Sequence, residues 1–215
     1  MTNEYLTSNY TEFCGTICSE FKFNHEVFGK KFYLVDVKSK RLSGIYDTIP
    51  CMISEQLIDT SKNMIGTTVK IYGQYRSYNK RVDENKSKLI LSIFVRDVEI
   101  DCELKLINEI ELIGYNVKEP VYRKTPLGKE ICELILAVNR PYRNTDYIPC
   151  IVWGRNARFS RTLNIGDKVK LAGRIQSRNY QRKLSETEID PVIRTAYEVS
   201  GYMIHHFNED NERID

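Results

Sequence analysis

Apolar and polar residues alternate with a period of two through most of this chain. Leu134, Leu136 and Val138 fall on one side of their run. Ile148, Cys150 and Val152 repeat the pattern, with Tyr147, Ile151 and Trp153 on the opposite face. Further on, Val169, Leu171, Gly173 and Ile175 point one way, and Lys168, Lys170, Ala172, Arg174 and Gln176 the other. Continued, the alternation adds Arg178 and Tyr180 to the Lys170 face. A last run lies near Thr195 to Ile204. Period-two alternation predicts half-buried β-strands. One stretch, Arg155 to Leu163, breaks it and predicts a short helix ended by Asn164-Ile165-Gly166. In mid-chain, Val98, Ile100, Cys102, Leu104 and Leu106 alternate with Asp97, Glu99, Asp101 and Glu103, which predicts a strand with one acidic face.

The chain repeats itself. At an offset of 99, Asn9, Glu12, Gly15, Glu20, Gly29, Lys30, Arg41, Asp47, Ile49, Pro50 and Cys51 meet identical residues, eleven in 43 ungapped positions. At an offset of 100, Gly66, Val69, Lys70, Gly73, Ser77 and Asn79 do the same, six in fourteen. Average composition gives about one match in fifteen or twenty by chance. The chain is therefore two copies of one unit, with domains at about 7–105 and 107–207 and a short acidic tail at 208–215. No Gly/Ser/Pro-rich linker separates them, so the copies are expected to sit rigidly together.

Five strands with a small helix between the third and fourth, in about 100 residues, is the order of an OB-fold, a Greek-key barrel. The fold class is all-β: two tandem OB-folds, five-stranded barrels each with that helix. Gly73 and Gly173 fall in mid-strand, where glycine lets a barrel strand bend. Pro50 and Pro149 place the start of the third strand at an edge or a bulge.

Charge then changes the picture. The whole chain carries only +3, yet Arg140 to Lys183 holds eleven Lys/Arg against Asp146 and Asp167. Tyr142, Tyr147, Trp153 and Tyr180 are threaded among them. Interleaved cations and aromatics suit the phosphates and bare base faces of a single strand. Candidate phosphate contacts are Arg140, Arg143, Arg155, Lys170, Arg174, Arg178, Arg182 and Lys183. Arg41, Lys70 and Arg76 join them from the first copy, where Lys70, Tyr72, Gln74, Arg76 and Tyr78 share a face by parity. Tyr72 and Tyr78 are its candidate stacking residues. Lys62, Lys80, Arg81, Lys86 and Lys88 add charge nearby.

Other classes find little support. The longest apolar run, Leu89 to Val95, is too short to span a bilayer, and Met1 to Tyr10 lacks the layout of a secretory signal. Six scattered cysteines and three histidines complete no zinc set, so neither metal nor cofactor is expected. The cysteines fit a reducing cytoplasm. No nucleophile triad and no phosphate-cradling glycine loop is present. Asp97, Glu99, Asp101 and Glu103 spread over roughly 20 Å of strand, too far to share one ion. Glu186, Glu188 and Asp190 are the other acidic group, and an enzyme is not expected.

The residues now resemble a known family, the bacterial single-stranded DNA-binding proteins. The carrying segments are Leu136-Ala-Val-Asn-Arg140, Asp146-Tyr-Ile-Pro-Cys-Ile-Val-Trp-Gly154, Gly166-Asp-Lys-Val-Lys-Leu-Ala-Gly-Arg-Ile-Gln-Ser-Arg178 and Thr195-Ala-Tyr-Glu-Val199. The resemblance implies sequence-tolerant binding and protection of single-stranded DNA in replication, recombination or repair, in the cytoplasm at the bacterial nucleoid. Trp153, Tyr147 and Tyr180 fall where the family stacks bases, and Tyr142 falls near a fourth such place. Family assemblies hold four OB-folds, so a homodimer is implied here. The end of the chain, Asn208 to Asp215, lacks the family's usual Pro-Phe tip, which weakens the case for docking replication and repair proteins there. The first copy places Thr48, Ser54, Ser43 and Lys80 at the four aromatic positions, so the halves are not expected to share binding equally. Two further readings stay open: an OB-fold platform dominated by protein contacts, and single-stranded RNA in place of DNA, since stacking and phosphate contacts serve both.

Overall fold

The structure is a computed structural model that describes residues 8–83, 86–182, 192–207 and 213. The first half contains β1 (Asn9–Ile17), β2 (Lys22–Val27), β3 (Lys30–Lys40), β4 (Tyr46–Ser54), β5 (Thr68–Asp83) and β6 (Lys86–Ile100). The second contains β7 (Asn108–Asn116), β8 (Val121–Lys124), β9 (Glu130–Arg140), β10 (Asn144–Trp153), the helix α1 (Arg155–Ser160), β11 (Lys168–Arg182) and β12 (Val192–Phe207).

Each half closes into a barrel. In the first, the circuit runs β1–β3–β4–β6–β5 and back to β1; in the second, β7–β9–β10–β12–β11 and back to β7. A parallel pairing completes each, Cys51 opposite Ile93 in one and Cys150 opposite Val199 in the other. These are two tandem OB-folds. Apolar side chains fill them: Phe13, Ile49, Ile71, Tyr75 and Ile93 are fully buried in the first, and in the second Leu112 and the inward-predicted Leu136, Ile148, Leu171 and Ile175. Pro50 and Pro149 lie just before the stretch where β4 and β10 pair on their second side, so their missing N–H leaves no ladder bond unmade.

Three expectations are corrected. Each half has a sixth strand, β2 or β8, bonded to the barrel only through β3 or β9. β2 is exposed at every position, so it shows no apolar alternation to read. The helix forms in the second copy alone and stops at Ser160; residues 55–67 of the first copy are turns. There Ser54 Oγ accepts from Gln56 N, Asp59 Oδ1 from Ser61 N, and Asn63 Oδ1 from Ile65 N. Such short side-chain bonds offer the backbone an alternative to helix. The alternation across the middle makes a strand only as far as Ile100, where β6 ends. Asp101 turns at φ 55 and donates its N–H to Thr68 O, and the chain then crosses over to begin β7.

β7 pairs antiparallel with β1, Asn9 opposite Leu112 and Phe13 opposite Asn108. The register is symmetric about Thr11 and Ile110, so a pseudo-two-fold axis relates the barrels and all twelve strands form one sheet.

Candidate nucleic-acid interface

The repeated polar residues meet at the seam between the barrels. Asp47 is fully buried, and Arg41 donates to both its oxygens, Nε to Oδ2 at 2.6 Å and Nη2 to Oδ1 at 2.5 Å. The same carboxylate accepts Ser177 N of the other barrel at 2.7 Å, and Thr48 N donates to Ser177 Oγ at 3.1 Å. Across the axis, Asp146 accepts Ser77 N at 2.7 Å, and Tyr147 N donates to Ser77 Oγ at 2.8 Å. Arg140 Nε lies 2.8 Å from Asp146 Oδ2 but too obliquely for a hydrogen bond. Burial pushes the Asp146 carboxyl up, against the lowering influence of Ser77 N–H, Arg140 and Arg76. Arg41 and Arg140, expected among the phosphate contacts, thus hold the carboxylates that lock the halves together.

Asn9 and Asn108 carry out a second paired task. Each side-chain amide bonds both backbone groups of one residue on the neighbouring strand, Asn9 with Tyr75 and Asn108 with Ile175, at 2.7–2.9 Å. Lys70 pairs with Glu12 at 2.9 Å and Lys170 with Glu111 at 2.8 Å, so both lysines are held by carboxylates near the axis.

On the second barrel, the outer face of β10 presents Tyr147, 46 % exposed, and Trp153, 39 % exposed. Trp153 Nε1 donates to Ser200 Oγ at 3.2 Å, which fixes the indole against β12 while leaving much of its surface open. Ser200 lies opposite Arg174, so β12 stands between the indole on β10 and the guanidinium on β11. Arg174 Nη2 donates to Gln176 Oε1, and its Nε is buried without a hydrogen-bond partner. Arg178 is exposed with a long contact of 3.7 Å to Glu198. Tyr180, 37 % exposed, lies on the extended β11–β12 arm opposite Arg194. Tyr142, 95 % exposed, and Arg143 form the β9–β10 turn, both at positive φ. Arg155 is exposed at the start of α1. The expected outward face of β11 is partly closed, since Ala172 and Gln176 are buried there. Lys183, Glu186, Glu188 and Asp190, and the side chains of Lys86 and Arg182, lie outside the described residues.

On the first barrel, Tyr72 donates to Glu99 Oε1 at 3.0 Å and sits under Lys70 Nζ, while Tyr78 is exposed on the β5–β6 arm. Residues that the repeat alignment passed over gather there. Arg76 Cζ lies over the Phe94 ring, 3.8 Å from its centroid, and Phe94 is 5.8 Å from Phe32, centroid to centroid. His25 stacks on Phe32 at 5.0 Å, with planes 8° apart. Arg76 and Arg96 both donate to Gln74 Oε1. Burial, then the like charges of Arg140 and Arg96, push Arg76 down to about 10. The signal was present in β6, where buried Leu91, Ile93 and Val95 alternate with Phe94 and Arg96.

Among the described residues, no three His, Cys, Asp or Glu side chains are grouped to hold a metal ion. No helix there is long and apolar enough to cross a membrane.

By fold the molecule is a fused pair of OB barrels with aromatics and cations on their outer faces. Residues 107–199, in its second barrel, match the model of the single-strand binding protein family. Single-stranded DNA-binding protein 3 of Listeria innocua is 36 % identical over 83 residues, 35 % of this chain and 52 % of that protein. Single-stranded DNA-binding protein 1 of Staphylococcus aureus is 36 % identical over 95 residues, 39 % of this chain and 57 % of that protein. The chain spans about half the length of these curated relatives. The crystal structure of the single-stranded DNA binding protein from Thermus aquaticus superposes with a TM-score of 0.72 at 17 % identity. That match covers 94 % of this chain and 93 % of that one, so the likeness in fold takes in both barrels.

Proposed function

We propose that this chain binds single-stranded DNA without strong sequence preference and keeps the strand extended and protected during replication, recombination or repair. The observation that carries the reading is the outer face of β10, where Trp153 and Tyr147 stay open to solvent on a barrel strand, with Arg174 across the intervening β12. Bases stack on Trp153, Tyr147, Tyr180 and Tyr142, and Arg143, Arg155, Arg174 and Arg178 meet phosphates. Lys170, Arg140 and Arg41 contribute field from their ion pairs. Tyr72, Tyr78, Lys70 and Arg76 extend the surface onto the first barrel, and Arg182 and Lys183 onto the arm. The names of the relatives favour DNA over RNA. The protein acts by binding and not by catalysis, in the cytoplasm where such strands form. Two chains associate to bring four barrels together, and replication and repair proteins meet the complex.

Titration with oligo(dT) tests this. Trp153 is the only tryptophan, and its fluorescence should be quenched on binding. Affinity should fall with salt, each neutralised phosphate adding about −0.7 to the log–log slope. An unquenched tryptophan would move the track off β10. Equal affinity for duplex, or tighter binding of oligo(rU), would reject the assignment. Light scattering of the free protein tests the pair of chains.

A further inference from the structure

We propose that the first barrel carries a single-strand track of its own, built on Phe94, Phe32 and Arg76 and continuous with that of the second barrel. The inference rests on the DNA-binding reading above and assigns it a second site.

The two barrels exchange large for small at one place. In the second, Trp153 ends β10 and the neighbouring β12 position is the small Ser200. In the first, the position of Trp153 is Ser54, and the β6 residue that matches Ser200 is Phe94. Both correspondences follow from the pairings: Phe94 faces Gln74 and adjoins Met52, as Ser200 faces Arg174 and adjoins Ile151. Phe32 lies directly across from Ser54 on β3, where the second barrel has Ile131 across from Trp153. The rings of Phe32 and Phe94 therefore flank a serine, as a pair 5.8 Å apart. The aromatic surface is kept and its source strand has changed, so aligning the repeats shows a loss where the structure shows a substitution.

The surroundings suit a nucleotide. Arg76 sets its guanidinium 3.8 Å from the centre of the Phe94 ring, a cation beside a π face. Arg76 and Arg96 share one neutral acceptor, Gln74 Oε1. Arg140 stands close enough to Arg76 to depress its pKa, and the one carboxylate in the group, Asp146, is shared between Arg140 and Ser77 N–H. An anion placed among the three guanidiniums relieves their repulsion. Beyond Phe32, the exposed His25 is stacked in parallel, and with Phe28, Lys30 and Phe94 it lines an open depression of about 440 Å³. Flat π faces alternating with cations match bases alternating with phosphates.

Continuity fixes the occupant. Ser77, next to Arg76, holds the backbone N–H of Tyr147, one of the aromatics of the second track. A strand leaving Tyr147 would pass Arg140, whose charge acts on Arg76, on its way to Arg76 and Phe94.

The test uses the full chain and fluorescein-labelled oligo(dT) of increasing length. Tryptophan quenching reads the second barrel alone; anisotropy reads total binding. Phe94→Leu keeps an apolar side chain of similar bulk and removes the ring, and Phe94→Ala removes both. Each should lower affinity for long oligonucleotides at least about 5-fold and shorten the length at which affinity stops rising by about 4 nucleotides or more. Quenching by the shortest oligonucleotides and the urea midpoint of Phe94→Leu should stay as in wild type. Ultraviolet crosslinks to oligo(dT) should map to peptides containing Phe32 or Phe94. Wild-type affinity and length dependence in both variants overturns the inference while leaving the second-barrel reading intact. So does a change in chain association with unchanged DNA binding, which would make the patch a protein contact. Failure of wild type to bind oligo(dT) by either readout rejects the DNA reading itself.

Discussion

Trp153 illustrates how one side chain can be both anchored and available. Its indole N–H is bonded to Ser200, so the ring is held in place before a base arrives. Trp153→Ala should weaken single-strand binding by about 1–3 kcal/mol with little change in stability, measured by anisotropy and urea unfolding. Its exposure was legible from parity alone, since period two fixes which face a residue takes. Arg41, Arg140, Asp47 and Asp146 were visible as repeated residues but not as partners. A buried Arg–Asp pair and a solvated phosphate-binding Arg look the same in one dimension, because what separates them is the strand from the other barrel that covers them. Asp146 makes a pH prediction. Burial holds its folded-state carboxyl above the unfolded value of about 4. The folded chain therefore binds more protons in that window, and its stability falls as pH rises from about 4 through the raised folded value. Wild type should lose stability relative to Asp146→Asn over that range. Parallel pH profiles of the urea midpoints would show that the carboxyl titrates at its ordinary value.

At the scale of elements, the long strands β5, β6, β11 and β12 depend on local departures from regularity. A register shift beside Gly73, and another beside Gly173, mark where each strand bends to close its barrel. A Cβ on Gly173 would stand 2.4 Å from Ser200 O, a backbone atom that cannot swing aside. Gly173→Ala should therefore cost about 1–3 kcal/mol and move β12 under Trp153. Urea unfolding and a loss of quenching at unchanged Trp153 would report both effects. These glycines were readable as bends from their mid-strand position. β2 was not readable, because a strand with no buried face leaves no pattern. Nor was the missing helix of the first copy, where Asp59 and Asn63 side chains decide the backbone through bonds that hydropathy does not register.

At the scale of the whole molecule, the β1–β7 ladder makes one body of two barrels. Its register is the one two identical strands would adopt about a two-fold axis. A chain cut down to residues 107–207 would leave β7 as an open edge. Such a fragment should pair with itself through β7, giving twice the monomer mass by light scattering; a monomer would show that the ladder needs both sequences. The duplication behind this symmetry was plain in the sequence, whereas the seam was hidden because its contacts span 69 to 130 residues. Covalent joining also frees the halves from having to match. The first barrel carries Gln74 then Arg76 where the second carries Arg174 then Gln176, and the stacking rings come from different strands. A perfect two-fold object offers the same welcome to a strand arriving from either side. This one has distinguishable ends, so a strand bound along the proposed tracks would meet a different surface at its 5′ side than at its 3′ side and would be held in one direction.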